Sequence, residues 1–299
     1  MLLAFLRLGR PLFLAGGFVL YGLGAIVAAW LGGVIDWERY VLGQAAVTAF
    51  QWMTHYANDY FDYEADVANK TPTAWSGGSR VLAEGGLPRR VALYAALVLA
   101  TIGVMATILV GREEPRAIAV VVPMAVLAWA YSGPPLRLCA RGLGELATAI
   151  VVTGLVPLLG FVMQAPALEG AGYLGLALAP LVLLQLAMLI AIELPDAEGD
   201  EAAGKRTLVV RYGAPWAVQS YALLTTLAYL AVPVGALLGL PTRVVIAATL
   251  PAPIAAWRLS RAAADAKDGT YAPLAGSGVM LLMGTAVCEL AAFATLVSW

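Results

Sequence analysis

The chain has 299 residues, 61% hydrophobic and only 12% charged, with a formal net charge of −1 and a mean hydropathy of +0.83. Soluble domains carry charge on about a quarter of their residues, so an ordinary soluble enzyme is excluded, and the near-neutral balance predicts no nucleic-acid partner. Cys139 and Cys288 stand alone without metal-type spacing, which argues against zinc sites and disulfides.

Charges are bunched and leave nine uncharged stretches in chain order: 11–35, 40–58, 91–111, 117–136, 146–168, 170–192, 212–242, 244–257 and 269–288. Roughly 20 apolar residues cross a bilayer as a helix, so most of these qualify alone, while the eighth is short and holds Pro251 and Pro253. The first runs too long for a cleavable signal peptide and has no small-residue cleavage site. The expected fold is an all-α, multi-pass membrane protein of about nine spans, forming a single domain over residues 1–299. With the N-terminus inside, 14 of the 18 basic residues fall on one side, among them Arg7, Lys70, Arg80, Arg141 and Lys205. Arg39, Arg112, Arg116 and Arg243 fall on the other, which makes the crowded face cytoplasmic.

Two acidic combs end the second and sixth stretches on that face. NDYFDYEAD places Asp59, Asp62 and Asp66 at offsets 0, 3 and 7, and ELPDAEGD repeats the offsets with Glu193, Asp196 and Asp200. On a continuous helix these offsets share one face, with His55 on the same face as the first comb. Three carboxylates so close repel one another, and hard oxygen donors without Cys or His suit magnesium or calcium, of which magnesium commonly bridges carboxylates to phosphate oxygens. Each comb is followed by a glycine-containing loop with cations: NKTPTAWSGGSR carries Lys70 and Arg80, and AAGKR carries Lys205 and Arg206. Neither loop is a Walker sequence, but each has the makings of a phosphate site. Carboxylates for magnesium, cations for phosphate and a lipid-facing scaffold together suit a diphosphate on a hydrophobic tail. The placement of the combs divides the chain into two pseudo-repeated four-helix units plus a final helix, with the combs facing across a central cavity. A cation-coupled transporter is the rival class, but transport sites lie near the bilayer midplane and these combs lie at span ends. The DGxxAR pattern of phosphatidyl-type alcohol transferases is absent.

Asn58 to Asp66 resembles the NDxxDxxxD motif of the UbiA superfamily of membrane prenyltransferases. Asp196 to Asp200 resembles its second motif, DxxxD, followed by GKRTL at 204–208. YSGPPLRLCARGLGEL at 131–146 looks like the branch that prenylates 1,4-dihydroxy-2-naphthoate in menaquinone synthesis. In this loop Pro135 stands where some relatives have the lysine of Tyr-xxx-Lys, with Arg137 the nearest cation, and SGGSRVL replaces an Arg-Pro-Leu pattern. The resemblance implies transfer of a polyprenyl group from an isoprenyl diphosphate to an aromatic acceptor, through an allylic cation. Acceptors of 4-hydroxybenzoate, homogentisate or geranylgeranylglyceryl phosphate type are the alternatives. It implies Mg²⁺ on Asn58, Asp59, Asp62, Asp66, Glu193, Asp196 and Asp200, and diphosphate held by Asn58, Lys70, Arg80, Arg137, Lys205 and Arg206. Tyr131, with Trp52 and Tyr56, would face the cation. His55 is either a base or a structural partner, and Arg10 either an acceptor contact or a flanking charge.

Overall fold

The computed structural model describes residues 1–165 and 167–297, and these form helices without strands. Helix α1 (Leu2–Leu8) leads through Gly9 and Arg10 into α2 (Pro11–Trp30). Pro11 opens α2 where no backbone N–H is needed, and Arg10 before it takes a left-handed conformation. Asp36 caps α3 (Trp37–Phe61) by accepting from Arg39 N at 3.0 Å. A short α4 (Tyr63–Ala68) follows, then α5 (Arg89–Glu113) and α6 (Ile118–Ser132). In the second half α7 (Gly144–Ile150) passes through a π-helical turn into α8 (Val156–Gln164). It is followed by α9 (Ala171–Glu193), α10 (Ala197–Ala202), α11 (Leu208–Leu237), α12 (Thr242–Thr249), α13 (Ala252–Lys267) and α14 (Ala272–Ala294).

Seven helices among the described residues are long and apolar enough to cross a bilayer. The second expected span is a 25-residue helix, α3, that falls short on apolarity because it carries Gln44, Gln51, Thr48, Thr54 and His55. The eighth breaks into α12 and α13 around Leu250 and Pro251, and α13 ends in charged residues. Pro251 and Pro253 account for the break, since neither supplies an N–H to carry a helix through.

The half-repeat appears in the packing. Each comb-bearing helix lies along the next spanning helix of its own half, α3 on α5 and α9 on α11. The first helices of the two halves, α2 and α8, pack on each other. They approach backbone to backbone: a Cβ on Gly24 would lie 1.8 Å from the Pro157 carbonyl oxygen, and one on Gly160 would lie 2.1 Å from that of Tyr21. In lipid, such small-residue contacts replace the hydrophobic drive that helices lack there. At the other end of α3 from the first comb, Arg39 lies 3.8 Å from Glu114, which Arg116 grips at 2.7 and 2.9 Å. Arg116 also reaches the Ala165 carbonyl, and Gln164 exchanges hydrogen bonds with the Asp36 backbone. Three loops are thereby tied together at that end.

Candidate active site

Both combs bend at their middle acid. Helix α3 ends at Phe61 with Asp62 as its C-cap, and α4 restarts at Tyr63 carrying Asp66. Helix α9 ends at Glu193, and Asp196 caps the start of α10, which carries Asp200. The expectation that each comb lies on one face of one helix is corrected: the third acid sits on a separate short helix. Pro195 enforces the second bend by lacking an N–H. Helices α4 and α10 then pack together, and the contact is close, since a Cβ on Gly199 would lie 2.9 Å from the Ala65 carbonyl oxygen.

The combs meet in a cavity of about 110 Å³, lined by residues of both halves that include Asn58, Asp62, Asp66, Tyr131, Glu193, Asp196, Asp200 and Lys205. Lys205 Nζ bridges them, 2.9 Å from Asp62 and 3.0 Å from Asp200. Burial works against the Lys205 charge, but Asp62 and Asp200 outweigh it and hold the ammonium well above its ordinary pKa. Asn58 donates to Asp62 at 2.6 Å and to Ser132 at 3.1 Å, and accepts from Arg10 at 3.0 Å. Arg10 also pairs with Asp59, which is 2% exposed and takes a further hydrogen bond from the Ser79 hydroxyl. Asp196 accepts from Asn69 at 2.7 Å and from Gly77 N at 2.9 Å.

The loop after the first comb is therefore held by both combs, through Ser79 on Asp59 and Gly77 on Asp196. Gly77 and Gly78 both have positive φ, and the Asp66 carboxylate lies against Gly78, where a Cβ would come within 2.1 Å of it. Only glycine fits there. Burial first, and then the nearby Asp59 and Asp62, raise the Asp66 pKa to about 7 against the pull of Arg10. Burial raises Asp200 to about 6 against Lys205, and raises Asp196 as well.

Of the expected phosphate cations, only Lys205 lines the cavity. Lys70, Arg137 and Arg206 are exposed. Arg80 donates to the Asp66 backbone carbonyl instead of entering the cavity. His55 donates from Nδ1 to the Gly9 carbonyl, 2.9 Å away, as a structural partner of the α1–α2 elbow. Arg10, expected as an acceptor contact or a flanking charge, binds Asn58 and Asp59 instead, while Asn69, Gly77, Ser79, Cys139 and Glu145 enter the site or its support without having been singled out. Their signal in sequence was adjacency to the combs or to Tyr131, which does not distinguish a lining residue from a neighbour.

Asp62, Asp66 and Asp200 offer oxygen donors only, and a cation already sits between two of them, so the donor chemistry fits a hard divalent ion. Among the described residues no three His, Cys, Asp or Glu side chains converge tightly enough to hold one as they stand.

The chain matches the UbiA prenyltransferase family over residues 18–292. It is 30% identical to a digeranylgeranylglyceryl phosphate synthase of Thermococcus kodakarensis, covering 75% of this chain and 76% of that protein. A Thermococcus gammatolerans protein of the same name is 29% identical over 70% of this chain and 69% of its own length. In fold, the chain is similar to a UbiA homolog from Archaeoglobus fulgidus bound to DMAPP and Mg²⁺, with a TM-score of 0.64, 16% identity and coverage of 95% and 98%. A UbiA homolog from Aeropyrum pernix gives 0.66 at 16% identity, covering 93% and 97%. The relatives similar in sequence are named digeranylgeranylglyceryl phosphate synthase, not for the naphthoate branch that the 131–146 loop resembles. The chain is a membrane prenyltransferase and belongs to the UbiA prenyltransferase family.

Proposed function

We propose that the protein transfers a prenyl group from an isoprenyl diphosphate to a free hydroxyl of a glycerol-phosphate lipid, as the names of its relatives suggest. The observation that carries this reading is the joining of one acid from each comb by Lys205, which gives the two half-bundles a shared floor with carboxylate charge to spare for a metal ion. Asn58, Asp62, Asp66 and Asp200 would hold Mg²⁺, which when bound supplies positive charge to the diphosphate oxygens. Asp59 and Asp196 position the 76–79 loop through Ser79 and Gly77. Lys205 and Arg10 face the leaving group with the charge that it needs as the bond breaks. Tyr131 lines the cavity, where its ring can face an allylic cation.

The acceptor oxygen bonds to C1 of the prenyl chain. The C1–O bond to diphosphate breaks with its electron pair on the leaving group, and the acceptor proton departs. The comb end is the cytoplasmic end in this reading, because the basic residues crowd there. The test is transfer by purified protein with magnesium and a prenyl diphosphate, given either a geranylgeranylglyceryl phosphate or 1,4-dihydroxy-2-naphthoate. Mass spectrometry should find the dialkyl glycerol phosphate; a prenylated naphthoate alone would reverse the assignment.

A further inference from the structure

Beyond Tyr131, the 131–146 loop has no part in the transfer chemistry. It joins α6 to α7 at the comb end, and its middle forms a short 3₁₀ turn at Leu138–Arg141. Arg206, in the loop before α11, donates its backbone N–H to the Ala140 carbonyl at 2.9 Å and ties the two segments together. Both segments border the cavity, which Cys139 lines on one side and Lys205 and Thr207 on the other. Where they meet, backbone carbonyls hold two arginines in place. Arg211 donates from Nε to the Arg206 carbonyl at 2.9 Å and from Nη2 to the Arg141 carbonyl at 2.6 Å. Arg141 donates to the Pro135 carbonyl at 3.2 Å. Gly142 permits the approach, because it has positive φ and a Cβ on it would lie 3.0 Å from the Arg206 carbonyl oxygen.

Arg10, Arg89, Arg116 and Arg258 each pair with an acid. Arg141 and Arg211 pair with none among the described residues, and both are exposed. A carboxylate fixes a guanidinium and cancels its charge, whereas a carbonyl fixes it and leaves the charge whole. Each guanidinium also has more N–H donors than these carbonyls use. Leu136, Leu143, Leu146 and Tyr212 are exposed beside the two arginines. Helix α6 ends here and α7 and α11 begin, so the patch lies at the membrane boundary, with apolar side chains for acyl chains and cations at the level of lipid phosphates. We propose that Arg141 and Arg211 form a docking site for the phosphate headgroup of a glycerol-phosphate lipid in the leaflet on the comb side. The planar forks match phosphate oxygens, and a lipid held there by its phosphate has its glycerol at the mouth of the cavity and its chain in the bilayer. The inference deepens the function proposed above and rests on it for the identity of the docked lipid, the acceptor.

The experiment measures binding of geranylgeranylglyceryl phosphate to the full-length protein in neutral detergent by calorimetry, without magnesium or prenyl diphosphate, so that no turnover occurs. Wild type should bind it about tenfold or more tighter than geranylgeranylglycerol, which lacks the phosphate. Arg141→Gln combined with Arg211→Gln should weaken binding about 30-fold, at about fivefold for each arginine, and bring the two lipids close in affinity. Arg141→Gln alone gives up only a contact to the exposed Pro135 carbonyl, should cost about fivefold, and decides the matter if the double variant does not fold. In transfer assays with magnesium the double variant should raise KM for the lipid by a similar factor and KM for the prenyl diphosphate by less than about threefold. Equal binding by variant and wild type, or equal binding of the two lipids, overturns the docking site. A matching rise in KM for the prenyl diphosphate also overturns it, by making the arginines part of the diphosphate site. Competition by inorganic phosphate or diphosphate at the lipid's own concentration does the same, by making the patch a site for free anions. A wild type that binds the phosphate lipid through these arginines but transfers no prenyl group to it sinks the acceptor reading and leaves the docking site standing.

Discussion

The two combs share a spacing and differ in how each charge is balanced. The first comb is met by a cation at its first two positions, Arg10 on Asp59 and Lys205 on Asp62. The second has a buried oxygen without a hydrogen-bond partner on its first acid, Glu193, and neutral amide donors, Asn69 and the Gly77 backbone, on its middle one; only Asp200, its last, pairs with a cation. Equal offsets therefore put acids in equivalent places without giving them equivalent work. What an acid does is set by what the opposite half brings to it.

The sharpest break of this comparison is at the shared cation and its ligands. Asp62→Ala should cost about a thousandfold or more in prenyl transfer, since Asp62 touches Asn58 and Lys205 and is proposed above to bear metal. Lys205→Ala should leave Asp62 and Asp200 buried without their cation, so the metal-free protein should melt well below wild type and recover much of the loss in magnesium. A melting temperature that ignores magnesium would show that the ammonium does not stand where the metal binds.

Asp196→Ala is the next in size and tests the amide-bound member. It removes the acceptor of Asn69 and Gly77 N, which at about 1–3 kcal/mol for each buried donor left unsatisfied should loosen the 70–80 loop. Limited proteolysis should then cut within the loop, and Asp196→Asn, which keeps an acceptor, should protect it. If loop cleavage does not change while transfer is lost, Asp196 takes the metal-binding role proposed for Asp62.

Acidity separates the third members of the combs. Asp66 at about 7 and Asp200 at about 6 lie above the ordinary carboxyl value of about 4, so the native state holds their protons more tightly than the unfolded chain. Their contribution to metal-free stability is full below about pH 4 and is lost as pH rises through 6 to 7. Metal needs the ionised form, so magnesium should restore stability over that same rise and transfer should fall as pH drops below about 7. Melting curves in chelator and in magnesium from pH 5 to 8 should diverge upward; parallel curves would remove both acids from the metal site. At the small end, Lys70→Ala, Arg137→Ala and Arg206→Ala should each stay within about 0.5 kcal/mol in stability and about twofold in transfer, because all three side chains are exposed.

Much of this was legible in the sequence. Uncharged stretches marked the helices, and the repeated offsets marked both acid-bearing helix ends, because burial in lipid and mutual repulsion constrain residue type directly. The bend at Asp62 was not legible, since nothing in YFDYE breaks a helix; the bend at Asp196 could be read from Pro195. Choosing among the cations was beyond spacing alone. Lys205 and Arg206 are neighbours, and only the path of the chain after Gly204 decides that one enters the cavity and the other meets solvent. Glu145 accepts from Leu208 N, 63 positions away, a contact that only the return of the chain to α7 makes. The loop at 131–146 suggested an aromatic acceptor, whereas the relatives similar in sequence are named for a glycerol phosphate product.

The crossing of α2 and α8 at Gly24 and Gly160 carries a consequence for how the enzyme could be changed. With carbonyls where side chains would stand, this joint has no slack, and a methyl group at either glycine must push one half-bundle away from the other. Each half-bundle carries one comb, so the spacing between the two rows depends on a joint many residues away from the acids. Two glycines act as the shim of the instrument: a chain that lost them could keep every acid and still hold the two rows at the wrong spacing for one diphosphate.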